Sequence, residues 1–236
     1  MKLYDELIEK IEKLLDFYNI TKENEKTVPW NEVSEHTMIL RNEMAYELGN
    51  ESFPGIGMTL VTDDASFVKE DSIERIGRDL DEMSENGPYA RISIIRVGED
   101  TLGEGKKLYG AIKKLDHVRY HFYPEGFMLR LSAIQKKEGA RISRESIQKG
   151  LSFAKIGRLL QEAYHKDSNV LAVRTLFVTK PEFDFEELKK LSQEADKITK
   201  AIDHIAQNVQ MDCHVCSLQE VCEEVEGLRE LHFSHK

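Results

Sequence analysis

Three cysteines carry the most specific chemistry in this sequence, and they stand within ten residues of one another as Cys213-x2-Cys216-x5-Cys222. A Cys-x2-Cys pair offers two thiolates to one metal from a single tight turn. A third thiolate returns to the same side if the intervening chain begins a helix, and Leu218, Val221, Val225 and Leu228 have the spacing for one. Thiolates so arranged bind iron-sulfur clusters or zinc. An iron-sulfur cluster, most simply 4Fe-4S, is the first reading and zinc the second. Either takes four ligands, so the fourth comes from a histidine, a carboxylate, an exogenous ligand or another chain. His214, His232 and His235 are the nearby candidates, and His214 is the poorest because it sits inside the chelate turn. The bland alternative is three unligated thiols, with Cys222 on the apolar side of its helix. An odd, clustered set is not a disulfide framework, and it fits a reducing compartment.

Other residues offer weaker chemistry. Arg130, Lys136, Lys137, Arg141 and Arg144 form a positive cluster of the kind that could hold a phosphorylated ligand such as coenzyme A, with a solvated positive face as the alternative. The carboxylates Asp63-Asp64, Asp79 with Asp81-Glu82, and Glu223-Glu224 with Glu226 could serve acid-base catalysis or bind a cation, but they read as solvated loops and helix faces. Gly98-x4-Gly103-x-Gly105-Lys106-Lys107 lacks both the spacing of a phosphate loop and its Ser or Thr, so it reads as a surface loop. His117 and His121 read as core or surface histidines, and no Gly-x-Ser-x-Gly elbow is present.

The elements that would position these groups alternate between helix and strand periods. Leu3, Leu7, Ile8, Ile11, Leu14, Leu15 and Tyr18 describe one face of a first helix, and the polar linker that follows as far as Pro29-Trp30 makes the expectation an arm that packs on a partner. Ser34 to Leu48 has helical spacing and a stop at Gly49-Asn50. Strands are predicted at Gly55–Thr62 and Arg91–Val97, a short helix at Lys106–Leu115, strand-like aromatics at His117–Tyr123, and a strand or turn between Arg130 and Arg141. Ser143 is a helix N-cap, and a helix follows from Phe153 to Tyr164. Val170–Val178, the most apolar run, is a buried central strand, and a long helix runs from Asp184 to about Val209, leading to the cysteines. The fold class is α+β: a mixed β-sheet packed with helices, an N-terminal helix and a C-terminal helical metal-binding tail. The expected divisions are residues 1–30, 31–208 and 209–236.

Of the 236 residues, 40% are hydrophobic and 32% charged, which suits a globular chain with a real core. With 33 Lys and Arg against 43 Asp and Glu, the formal charge of -10 argues against binding nucleic acid through its phosphates. No apolar run reaches the roughly 20 residues that span a bilayer, and the charged opening is unlike a signal peptide. The expectation is a cytoplasmic protein that binds neither nucleic acid nor membrane.

Ser72-Ile73-Glu74-Arg75-Ile76-Gly77-Arg78-Asp79-Leu80-Asp81-Glu82-Met83, the strand Arg91–Val97, and Arg141-Ile142-Ser143-Arg144-Glu145-Ser146-Ile147-Gln148-Lys149-Gly150-Leu151-Ser152-Phe153 follow in an order and spacing that resemble one family. It is the acetyl-CoA synthase β subunit of the carbon monoxide dehydrogenase/acetyl-CoA synthase complex, and the resemblance covers its central domain from about Glu47 to about Lys200. The resemblance implies an α+β domain that lies between a partner-docking domain and a domain carrying the nickel-iron-sulfur A-cluster. It also implies coenzyme A binding by arginines and a tryptophan. Arg141 falls in the matching stretch, whereas Trp30, the only tryptophan, lies far from it. Cys213-x2-Cys216 has a comparable place to the family's first pair, but Cys222 comes early and Cys-Gly-Cys is absent. The expectation is a cluster-bearing accessory or electron-transfer component of one-carbon or corrinoid metabolism with a protein partner. A zinc-stabilised interaction module and a coenzyme A-binding enzyme are the alternatives.

Overall fold

The structure is a computed structural model that describes residues 2–23, 38–102, 105–132, 137–206, 217–219, 221 and 225. Helix α1 (Asp5–Leu15) buries Leu7, Ile8, Ile11 and Leu15 along one stripe, with Asp5 and Glu6 in its first turn and Lys13 in its last, as the helix dipole favours. It is not an arm reaching outward. Its apolar stripe joins the main core, the Tyr4 hydroxyl meets Thr199 Oγ1 at 2.9 Å, and Lys10 pairs with Glu194 at 2.6 Å. Both contacts lie on α5 (Phe185–Ala206), the long predicted helix. Covering both apolar stripes at once is what holds the two together.

The larger sheet contains β1 (Thr21–Lys22), β3 (Gly55–Thr62), β4 (Ser72–Ile76), β5 (Tyr89–Val97) and β8 (Val170–Val178), in the order β1-β4-β8-β5-β3. It is mixed: β8 runs parallel to β4 and antiparallel to β5, and β5 runs parallel to β3. The position of β8 at its centre explains the nearly unbroken apolar run, since both faces are covered. The two faces are legible in β4, where side chains alternate. Glu74 reaches Arg174 at 2.8 Å, and Arg174 in turn pairs with Glu12 of α1. Ile73, on the opposite face, meets Gly157 of α4 (Phe153–Tyr164). Helix α2 (Gly105–His117) packs on α5 and on β3.

A second, antiparallel sheet has the order β2-β7-β6, from β2 (Met44–Leu48), β6 (Phe127–Ser132) and β7 (Lys137–Ser143). The helix predicted over Ser34–Leu48 is therefore a strand at Met44–Leu48, and residues 34–37 lie outside the described ones. Its residues pair with β7, Glu47 opposite Arg141 and Leu48 opposite Ala140, and ladder bonds outweigh the weak helical spacing of a short segment. His117–Tyr123 is not strand-like either. It is the end of α2 and a 3-10 turn, Val118–His121, because Val118 and Phe122, four residues apart, share the side that packs on the core. The sheets meet at a glycine: a Cβ on Gly55 of β3 would stand 2.5 Å from the Glu138 carbonyl of β7. Ser143 caps α3 (Arg144–Gln148), accepting from the Ser146 amide at 3.4 Å. Among the described residues no helix is long and apolar enough to cross a membrane.

Candidate functional site

The cysteines Cys213, Cys216 and Cys222 lie outside the described residues, as do Lys136 and the candidate ligands His214, His232 and His235. Their described neighbours are informative. Leu218 and Val221 are buried in the main core and Val225 packs against it, with the Val225 amide donating to the Val221 carbonyl at 3.0 Å. Three of the four apolar residues whose spacing predicts a helix, Leu218, Val221 and Val225, thus pack on the domain. Among the described residues no group of three or more His, Cys, Asp or Glu side chains could hold a metal.

The basic cluster divides. Arg130 and Arg141 converge from neighbouring strands on one oxygen of Glu47, Arg141 Nε at 3.4 Å and the Arg130 guanidinium in direct contact. Burial, with the neighbouring Arg141 charge adding to it, lowers the pKa of Arg130. Arg144 stands apart from this pair, at a separate hollow it shares with Glu43, Glu125 and Glu145. Lys137 donates its ammonium proton to the Asn50 carbonyl and faces a different cavity.

That cavity, of about 340 Å³, lies where β3, β7, the 3-10 turn and α5 meet, and Gly57, Arg119, Tyr120, Lys137, Glu138 and Thr199 help line it. Its base is a desolvated ion pair that the sequence reading missed. Arg91 of β5 and Glu138 of β7 are each 1% exposed and bond in a bidentate fork, Nε to Oε1 at 2.7 Å and Nη2 to Oε2 at 2.9 Å. The remaining guanidinium donor, Nη1, reaches Ser93 Oγ at 2.8 Å and the Met58 carbonyl at 3.2 Å. Arg119 approaches the second carboxylate oxygen at 3.6 Å and Asp116 at 3.0 Å. Gly57 makes room for the carboxylate, since a Cβ there would fall 1.8 Å from Glu138 Oε2.

Burial on its own disfavours the Arg91 charge, but Glu138, by its charge and its hydrogen bonds, together with Tyr164 and Tyr89 outweighs it, and the Arg91 pKa rises. Burial, reinforced by the Glu138 charge, pushes the Tyr89 hydroxyl well above the usual phenol range. That hydroxyl and Arg119 Nε are buried without a hydrogen-bond partner among the described residues. A carboxylate held by two guanidiniums is a poor general base, because its lone pairs are occupied. The arrangement instead gives the hollow a polar lining backed by a buried ion pair. A signal existed for it: Arg91 and Ser93 alternate with Ile92 and Ile94, so the polar pair shares one face of a strand buried on both.

The carboxylates singled out in sequence serve structure where they are described. Asp64 accepts from the Ser66 amide at 2.7 Å. Asp79 caps the 3-10 turn Leu80–Glu82 in a reciprocal capping box, and its Oδ1 also accepts from the Phe153 amide at 2.9 Å. Burial raises the pKa of Asp79 against these bonds. The contact joins the two stretches, 72–83 and 141–153, that carry the family resemblance, so their shared pattern encodes a joint of the fold.

The class of protein to which this α+β domain belongs is given by its family match. The profile of the family described as CO dehydrogenase/acetyl-CoA synthase complex beta subunit matches residues 28–182, and the chain belongs to that family. It is similar to two proteins of Methanocaldococcus jannaschii. It is 29% identical over 178 residues to acetyl-CoA decarbonylase/synthase complex subunit beta 2, an overlap of 74% of this chain and 36% of that protein. It is 28% identical over 178 residues to subunit beta 1, or 74% of this chain and 23% of that one. The chain thus spans about a third or less of these relatives.

Proposed function

We propose that this acetyl-CoA-synthase-like chain carries an iron-sulfur cluster, 4Fe-4S in type, on Cys213, Cys216 and Cys222, and acts as an accessory or electron-transfer component of one-carbon or corrinoid metabolism. The observation that carries the reading is the union of a family domain with a three-thiolate segment whose neighbours Leu218 and Val221 are buried in that domain's core. Three thiolates suit such a cluster or zinc, with a fourth ligand from His232, His235, solvent or another chain. When bound, a cluster supplies one-electron transfer. The chain's own contribution is to hold the segment: Leu218 and Val221 are buried in the core and Val225 packs against it, which supports reading residues 209–236 as a segment distinct from the domain of residues 31–208. Names of both relatives refer to a complex, which supports a protein partner, and an odd, clustered set of cysteines fits the reducing cytoplasm.

Anaerobic purification of the full chain, followed by iron and sulfide analysis and a visible spectrum, tests the proposal. Iron, sulfide and a broad visible absorption that disappear in Cys216→Ser are expected. A colourless, iron-free protein overturns it, and stoichiometric zinc in that protein establishes the zinc-stabilised interaction module instead.

A second reading, a coenzyme A-class ligand, gains from Arg119 and Lys137, two cationic residues that line the cavity. The arginines proposed for it are less available: Arg130 and Arg141 are bound to Glu47, and Arg144 lies elsewhere. Absence of heat on titrating the protein with millimolar coenzyme A removes it.

A further inference from the structure

Outside the cavity and the cysteine tail, the described surface holds a compact pair of metal-binding side chains. Helix α2 ends at His117 and the chain continues directly into the 3-10 turn Val118–His121, so the two histidines, four residues apart, fall on one side. Their Nε2 atoms are 2.8 Å apart and their rings 4.6 Å centre to centre, and both are exposed. The turn that carries them is fixed from beneath by buried Phe122 and by Val118, and the Tyr120 ring lies 5.4 Å from that of His117.

We propose that His117 and His121 form a bidentate site for a divalent transition cation of tetragonal preference, the chemistry of Ni2+ or Cu2+, with solvent completing the shell. In the unbound protein one Nε2–H donates to the other Nε2 across the 2.8 Å gap, and on metal binding that proton moves to the Nδ1 of its own ring so that both Nε2 lone pairs face the cation. The separation suits one metal class. With metal-nitrogen bonds of about 2.0–2.1 Å, nitrogens 2.8 Å apart subtend about 85° at the metal. That angle is close to the right angle of square-planar and octahedral shells, whereas a tetrahedral zinc site requires nitrogens about 3.4 Å apart at the same bond length. The surroundings also favour a cation. His117 closes α2, where the carbonyl end of the helix carries partial negative charge. The adjacent Arg119 directs its own charge to Asp116 and Glu138. Because Arg119 and Tyr120 from this same turn line the cavity, a cation holding the turn would stiffen one wall of it.

Calorimetric titration of the untagged full chain with Ni2+, Zn2+ and Mg2+ tests the site, in the native sequence and in a Cys213→Ser, Cys216→Ser, Cys222→Ser background that removes the tail thiolates. One Ni2+ equivalent is expected to survive the serine substitutions and to vanish in both His117→Asn and His121→Asn, while in the native chain each Asn variant lowers the Ni2+ count by one. Ni2+ is expected to bind this site more tightly than Zn2+, and Mg2+ not at all. Since both rings are exposed, the Asn variants should melt with wild-type transitions in the absence of metal, which separates loss of a ligand from loss of fold. Unchanged Ni2+ stoichiometry in the two Asn variants, or tighter binding of Zn2+ than of Ni2+ in the serine background, overturns the proposal.

Discussion

Glu138 is held by Arg91 through two short bonds, while Arg119 approaches it at 3.6 Å and Gly57 leaves it space. A pair so completely removed from water is not a net source of stability, because desolvation of both ions consumes most of what their attraction supplies. Breaking it is a different matter, since the surviving guanidinium then has neither water nor a counter-ion. Glu138→Gln should therefore destabilise the protein by about 3–5 kcal/mol in urea unfolding, and a joint Arg91→Met, Glu138→Leu replacement should recover most of that loss. A small effect of the single change would show that water reaches the pair. Arg91 could be seen in sequence as the polar half of an alternating strand, but Glu138, 47 residues away, could not be matched to it, because only the meeting of β5 with β7 brings the two together.

Among elements, the joint at Asp79 has the clearest energetic content. One carboxylate caps the 3-10 turn and also receives the first amide of α4, so its removal frees two buried donors at once. Asp79→Ala should cost about 1–2 kcal/mol, in the upper range for a cap, and Asp79→Asn, which retains an acceptor, should cost less. Urea midpoints at neutral pH measure both. Long periodic elements such as α1, α4, α5 and β8 could be read directly, because their buried stripes repeat through several turns or fill a whole strand. Short ones could not. Met44–Leu48 became a strand through β7, and His117–Tyr123 became a turn through the placement of Phe122, both effects of contacts far along the chain.

For the molecule as a whole, α1 and α5 enclose one continuous core with the larger sheet, and residues of the tail segment join it. An N-terminal helix built into the core should behave as part of a single cooperative unit. Ile8, fully buried, is a sensitive probe: Ile8→Ala should cost about 2–5 kcal/mol and shift one transition followed by both fluorescence and far-ultraviolet circular dichroism. A loss well below that, or an early separate transition, would mark α1 as a dispensable arm.

By itself the sequence determined the α+β class, the long helices, the central strand, the family and the clustering of Cys213, Cys216 and Cys222, since each is written in local spacing or in ordered motifs. Tertiary structure alone decided that α1 lies in the core, that Arg130 and Arg141 share Glu47 while Arg144 does not, that Asp79 bonds across to Phe153, and that Arg91 meets Glu138 beneath a polar cavity. The physical reason is the same each time. Periodicity reports which face of an element is buried, but the partner on that face comes from another part of the chain, and only packing brings the two within bonding distance.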